Sequence, residues 1–138
     1  MSVLELNGRV FDASTTGTLT LTGEGSATTD VTQGLAKSWI NFNGTGTAAI
    51  NDSLNTSGIT DNGTGTHTIT ITNDFSTVNY SLTTGIRGVS GTSHAIAVID
   101  IDTAPLVGAF KMATLQSGSS QTALDCPILN CTAHGDLA

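Results

Sequence analysis

Cys126, Cys131 and His134 stand in a C-x4-C-x2-H spacing, and thiolate and imidazole are ligands that zinc prefers. Residues five apart on an extended strand point to opposite faces, so both thiols reach one ion only if the chain turns at Pro127. The expectation is isolated core cysteines and a single histidine, with a metal on Cys126, Cys131 and His134, or an intersubunit disulfide, as the alternatives. Asp100 and Asp102 face the same way on a strand and have the chemistry of an acid/base pair or of calcium ligands. Nothing nearby completes a calcium loop, and a solvated strand end that discourages edge pairing is the expected role. Ser93, His94 and Asp100 supply the residue types of a hydrolase triad, but the nucleophile-elbow pattern fails, since Gly88-Val89-Ser90-Gly91-Thr92 has threonine where a second glycine is required.

Three Gly-x-Gly steps, at Gly23, Gly44 and Gly63, lack the third glycine and following helix of a dinucleotide fingerprint and read as turns. His67, His94 and His134 are single histidines, with no His-x-His pair to build a symmetric metal site. Asn-x-Ser/Thr sequons such as Asn43-Gly44-Thr45 and Asn62-Gly63-Thr64 follow from Asn-Gly turns in a Thr-rich chain, and no glycan is expected. No catalytic residue and no cofactor is nominated.

These side chains must be held by strands. Of the 138 residues only 11% are charged, where about 25% is usual, so Thr, Ser, Asn and Gly must cover the surface. Threonine is β-branched and fits a pleated strand, whereas the strong helix formers are scarce. Four Lys and Arg against eleven Asp and Glu give a net charge of −7, which leaves no basic patch for nucleic acid. No apolar run approaches the ~20 residues that span a bilayer, so no membrane insertion is expected. Met1-Ser2-Val3-Leu4-Glu5 has no basic region before a hydrophobic stretch, which predicts synthesis without Sec-type export.

Val3 to Phe11, with Asn7-Gly8 between apolar runs, predicts a hairpin. Leu19 and Leu21 alternate with Thr in the next segment. In Gly34 to Asn43, Trp39 shares a face with Asn41 while Ile40 and Phe42 share the other, and both faces are expected to meet protein. His67–Thr72 alternates Ile69 and Ile71 with Thr, and Tyr80–Thr84 is expected beside it. Ala95–Ile101 is the most hydrophobic run and the expected central strand. Ala109–Leu115 and Ile128–Thr132 supply the last strands. Eight to ten short strands predict an all-β fold, a small antiparallel β-sandwich or jelly-roll-like barrel with little helix. Residues 1–33 are expected to form an N-terminal hairpin segment for anchoring or oligomer contact, and 34–138 the main sandwich, in one globular domain overall.

Taken in order, GLAKSWINFNGTGT (34–47) and INDSLNTSGITDNGTGTHTITIT (50–72) resemble a module of tailed-bacteriophage virion proteins, especially tail-fibre and fibre-like proteins of aquatic phages. Trp39, Asn41, Phe42, Asn43, Gly44, Asp61, Asn62 and Gly63 carry the motif. The two Asn-Gly pairs are residues that tolerate the positive φ of a tight reversal. The resemblance continues more weakly through Asn79-Tyr80-Ser81 and Ala109-Phe110-Lys111-Met112 to Asp125–Gly135. The chain departs from the pattern at Thr66-His67, where such modules often have an acidic or aromatic residue, and in carrying Cys126 and Cys131.

The resemblance implies a non-enzymatic, homo-oligomeric, trimeric β domain of the virion, assembled in the bacterial host cytoplasm. It would sit on the tail or fibre, among other virion proteins, and contribute to attachment to a host-surface receptor. Residues 1–33 are too few for a long fibre shaft, which motivates a capsid decoration (cement or head-fibre) protein as the alternative. A carbohydrate-binding or adhesin-like module is the further alternative, with Trp39 and Tyr80 as its candidate stacking platforms. The loops 85–91 and 116–121 are where variable binding surfaces tend to sit, and no receptor-contact residue is nominated.

Overall fold

A computed structural model describes residues 3–6, 9–12, 20–22, 28–88, 94–100, 102–117 and 121–138. The chain divides into two compact units, 1–35 and 36–138. In the first, β1 (Val3–Leu6) pairs antiparallel with β2 (Arg9–Asp12), with Leu6 opposite Arg9 as the Asn-Gly hairpin requires. β3 (Thr20–Thr22) pairs with β4 (Thr28–Asp30), and a single helical turn, α1 (Val31–Gly34), follows.

The second unit is an all-β antiparallel sandwich. Its strands are β5 (Ser38–Asn43), β6 (Ala49–Leu54), β7 (Thr56–Asp61), β8 (Thr66–Ile71), β9 (Ser81–Arg87), β10 (Ala95–Ile99), β11 (Ala109–Gln116) and β12 (Ile128–His134). One sheet has the order β6-β5-β12-β9 and the other β10-β11-β8-β7. Period-two alternation assigns the faces. Ile40 and Phe42 of β5, Ile69 and Ile71 of β8, Phe110 and Met112 of β11, and Leu129, Cys131 and Ala133 of β12 turn inward and form one core with Phe75 and Cys126. Full burial of each large aliphatic or aromatic side chain contributes about 1.5–3 kcal/mol.

The chain crosses between sheets at Asn55, the one non-glycine residue with positive φ among those described (54°). Its side chain explains the choice. Nδ2 donates to Lys37 O (3.0 Å) and Asn73 O (3.1 Å), while Oδ1 accepts from Asn73 N (2.7 Å) and Asn73 Nδ2 (2.9 Å). Asparagine tolerates the left-handed region, and here one amide ties the start of the first sheet to the end of β8.

Three expectations are corrected. Of the apolar run at 95–101, Ala95–Ile99 forms an edge strand, not a central one. Among the described residues β10 pairs only with β11, and its other side meets the Thr84 hydroxyl, which donates to Ala97 O at 2.8 Å. Ile96 is 37% exposed, so its apolar character serves an outer surface. Next, β8 and the strand after Tyr80 are not neighbours: β8 pairs with β7 and β11, whereas β9 pairs with β12 in the opposite sheet, because the Asn73-Asp74 break is a crossing. Finally, positive φ falls on Gly46, Gly63 and Gly65 and on neither Asn43 nor Asn62. The connections run from Gly44 to Ala48 and from Asn62 to Gly65, longer than two-residue turns.

Candidate functional site

The first sheet presents an outward face centred on β5. Trp39, Asn41 and Asn43 alternate with the buried Ser38, Ile40 and Phe42, so the indole is half-buried and its face is not covered by a further layer of the sandwich. Pairing places Trp39 between Leu54 and Thr132. The next row is polar. Asn41 opposes Asp52, while Phe42 opposes Ile50, so Asn51 is the extra residue of a β-bulge, a device that re-aims side chains. Asn51 Nδ2 donates to Asn41 Oδ1 (2.8 Å), and Asn41 Nδ2 donates to Asn130 Oδ1. Asn130 lies opposite Gly85, and its Nδ2 stands 3.7 Å from where a Cβ on that glycine would be. An amide ladder beside an aromatic ring therefore crosses the sheet. Such amide networks polarise one another, and an indole with ordered amides can stack on and hydrogen-bond a polar ligand.

On the outer face of the second sheet, Ile96, Val98, Ala113 and Leu115, with Asp102 and Gln121, line a depression of about 420 Å3. This is an apolar patch across the edge strand β10 and its neighbour β11, the kind of surface that marks association.

The C-x4-C-x2-H residues separate. Pro127 does turn the chain, and Cys126 and Cys131 both enter the core, 0% and 2% exposed, with neither in a disulfide. His134 lies three positions beyond Cys131 and faces outward, so the two are not brought together. Among the described residues no three His, Cys, Asp or Glu side chains gather as a metal group. Burial, then the nearby Asp125 carboxylate, pushes the Cys126 thiol up. Burial pushes Cys131 up to about 12, against a small opposing effect of its contact with the Thr132 backbone. Asp100 is bound to Lys111 (Nζ to Oδ2, 3.6 Å) and accepts from the Asp102 backbone N–H (3.2 Å), while Asp102 itself is exposed. Ser93 and residues 89–92 lie outside the described residues.

No known family, curated protein or solved structure matches the chain.

The remaining motif residues gather at one end of the sandwich. Gly44 N donates to Cys126 O (2.9 Å), and Gly65 N donates to Asp125 Oδ1 (2.6 Å). Gly44 is required for close approach rather than for φ: a Cβ there would stand 2.9 Å from both His67 Cε1 and Leu129 Cδ1. At Gly65 φ is +70°, and a Cβ would meet Thr114 O at 2.6 Å. His67 beneath Gly44 is 0% exposed, lies edge-on to Phe42 (centroids 5.2 Å), and neither ring nitrogen has a hydrogen-bond partner among the described residues. At the other end Tyr80 stacks on Phe75 (4.2 Å, 15°) and points its hydroxyl at Leu106 O (2.8 Å) and Ala109 O (3.2 Å). It is committed to packing rather than offered as a platform. Burial, then Cys131, pushes its phenol up to about 12.

Sequence reading reached Trp39 and Asn41 but missed Asn51, Asn130 and Asn55, and named His67 only as a single histidine without foreseeing its burial with unpartnered ring nitrogens. A bulge, a register between strands some ninety residues apart, a sheet crossing and a packing clash leave no local pattern. Among the described residues no helix is long and apolar enough to cross a membrane.

Proposed function

We propose that the chain is a non-enzymatic structural protein of a tailed-phage virion, associated with the tail or its fibres, which contributes to host-surface attachment through the Trp39 face. The observation that carries this reading is the segment from Gly34 to Thr72. Its residues resemble the fibre module, and its Trp39 and Asn41 stand on an outward sheet face while its glycine-rich turns close one end of the sandwich. A homo-oligomer, as a trimer, is part of the proposal. The apolar surface of Ile96, Val98, Ala113 and Leu115 supports association, since covering an edge-strand patch lowers its free energy. Other virion proteins and a receptor on the host are the partners it calls for, and the virion is its location.

A carbohydrate-binding or adhesin-like module is the second reading. It is favoured by the indole beside the Asn51–Asn41–Asn130 ladder, which has the stacking and hydrogen-bonding groups a sugar uses.

Quantitative mass spectrometry of purified particles tests the first proposal. A copy number that is a small fraction of that of the major capsid protein is expected. A ratio near that of the capsid lattice would make the protein a capsid decoration, and absence from the particle would end the virion reading and leave the adhesin.

A further inference from the structure

The pentapeptide Asn-Gly-Thr-Gly-Thr occurs twice, at 43–47 and 62–66, and folding gives the copies opposite surroundings. An Asn-Gly pair can cyclise when the glycine nitrogen attacks the asparagine side-chain amide. A base for that N–H, a donor to the developing oxyanion, and room for the backbone to move all favour the reaction.

At 62 all three are present. Gly63 N donates to Asp61 Oδ1 at 2.8 Å, and Thr68 Oγ1 donates to Asn62 Oδ1 at 2.7 Å. Asp61, Asn62 and Gly63 are exposed, and no described residue other than the chain neighbours of Gly63 lies within 4 Å of where its Cβ would be. At 43 the glycine is held. Gly44 N donates to a backbone carbonyl, Cys126 O, which cannot take up the proton, and Gly44 is buried against His67 and Leu129. A donor is present here too, since Asn43 Oδ1 accepts from Thr45 N (3.0 Å) and Thr45 Oγ1 (2.8 Å), so what the copy at 43 lacks is the base and the room.

We propose that Asn62 is a self-deamidation site, with Asp61 as base and Thr68 as oxyanion donor, and that Asn43 is its shielded copy. The Gly63 N–Asn62 Cγ bond forms and the Asn62 Cγ–Nδ2 bond breaks. The Gly63 proton passes by way of the Asp61 carboxylate to the departing nitrogen, which leaves as ammonia. Water then opens the cyclic imide at either carbonyl, giving aspartate or isoaspartate at 62. Water is consumed and ammonia released, with no change of oxidation state. The product sets a second carboxylate beside Asp61, in a turn closed by Asn62 N to Thr66 O and Thr66 N to Gly63 O, each 2.9 Å.

The full chain is incubated at neutral pH, folded or in urea, and peptides covering 43 and 62 are followed by mass spectrometry. Folded Asn62 is expected to convert about tenfold faster than unfolded Asn62, short of the about 10²–10³ that an enzyme draws from an oxyanion donor, while folded Asn43 stays intact. Thr68→Val and Asp61→Ser are expected to bring the folded rate at 62 down to the unfolded one. Asn43 reports folding in the same sample, because an unfolded variant begins to convert there too. The proposal is overturned if folded Asn62 converts no faster than unfolded Asn62, or if both variants, with Asn43 still intact, leave its rate unchanged.

Discussion

Replacing His67 with leucine is expected to stabilise the sandwich, and the structure sets the size of the effect. The imidazole is 0% exposed, and neither nitrogen has a hydrogen-bond partner among the described residues. A neutral imidazole carries one donor and one acceptor, and each buried unsatisfied group costs about 1–3 kcal/mol. Leucine has neither group, so the penalty disappears. Against this, His67→Leu forfeits the edge-to-face contact with Phe42 at 5.2 Å, worth about 0.5–1.5 kcal/mol, and introduces a shape mismatch of about 1 kcal/mol. The terms leave between about 0 and 4 kcal/mol, centred on a gain of about 2 kcal/mol, read as a higher urea midpoint with unchanged slope. Thermal unfolding should rise by about 4–8 °C per kcal/mol gained. A lower midpoint at unchanged slope would refute the reasoning, because it would mean that both nitrogens are bonded in solution.

Gly44→Ala places a Cβ 2.9 Å from His67 Cε1 and Leu129 Cδ1 and is expected to cost about 1–3 kcal/mol through overpacking; the same urea titration reads it, and combining it with His67→Leu should give a non-additive sum. Asn55→Ala loses the left-handed preference and the amide bonds to Lys37 and Asn73, and should cost about 2–4 kcal/mol; a loss below about 0.5 kcal/mol by chemical denaturation would count against the crossing role. Burial raises Cys131 from 9.0 to about 12, so the unfolded thiol ionises first: this stability is complete below pH 9 and drains away as pH rises towards 12, at up to about 1.4 kcal/mol per pH unit. Cys131→Ala should flatten that slope in denaturation series across this range, and thiol reagents should label the folded wild type only on unfolding. Trp39→Ala should cost the fold only about 1–2 kcal/mol, because the ring is half-buried, yet reduce adsorption of particles to host cells; unchanged adsorption would remove this face from attachment.

The class of fold was legible because it rests on short-range alternation. Ser38-Trp39-Ile40-Asn41-Phe42-Asn43 and Thr66 to Ile71 have period two, and a strand with one apolar side has to lay that side on another layer. Pairing was not legible. One of the two partners of β5 is β12 at the far end of the sandwich sequence, and only that register sets Asn41 against Asn130 and leaves Trp39 beside the ladder. The sequence of β10 advertised a core strand because hydrophobicity does not say which side of a strand is covered, and an apolar outer edge reads like an interior one. The two Asn-Gly-Thr-Gly-Thr copies were identical as sequence. Tertiary packing separated them, burying Gly44 against His67 and leaving Gly63 in water, because the environment of a turn is decided by what the rest of the chain brings to it.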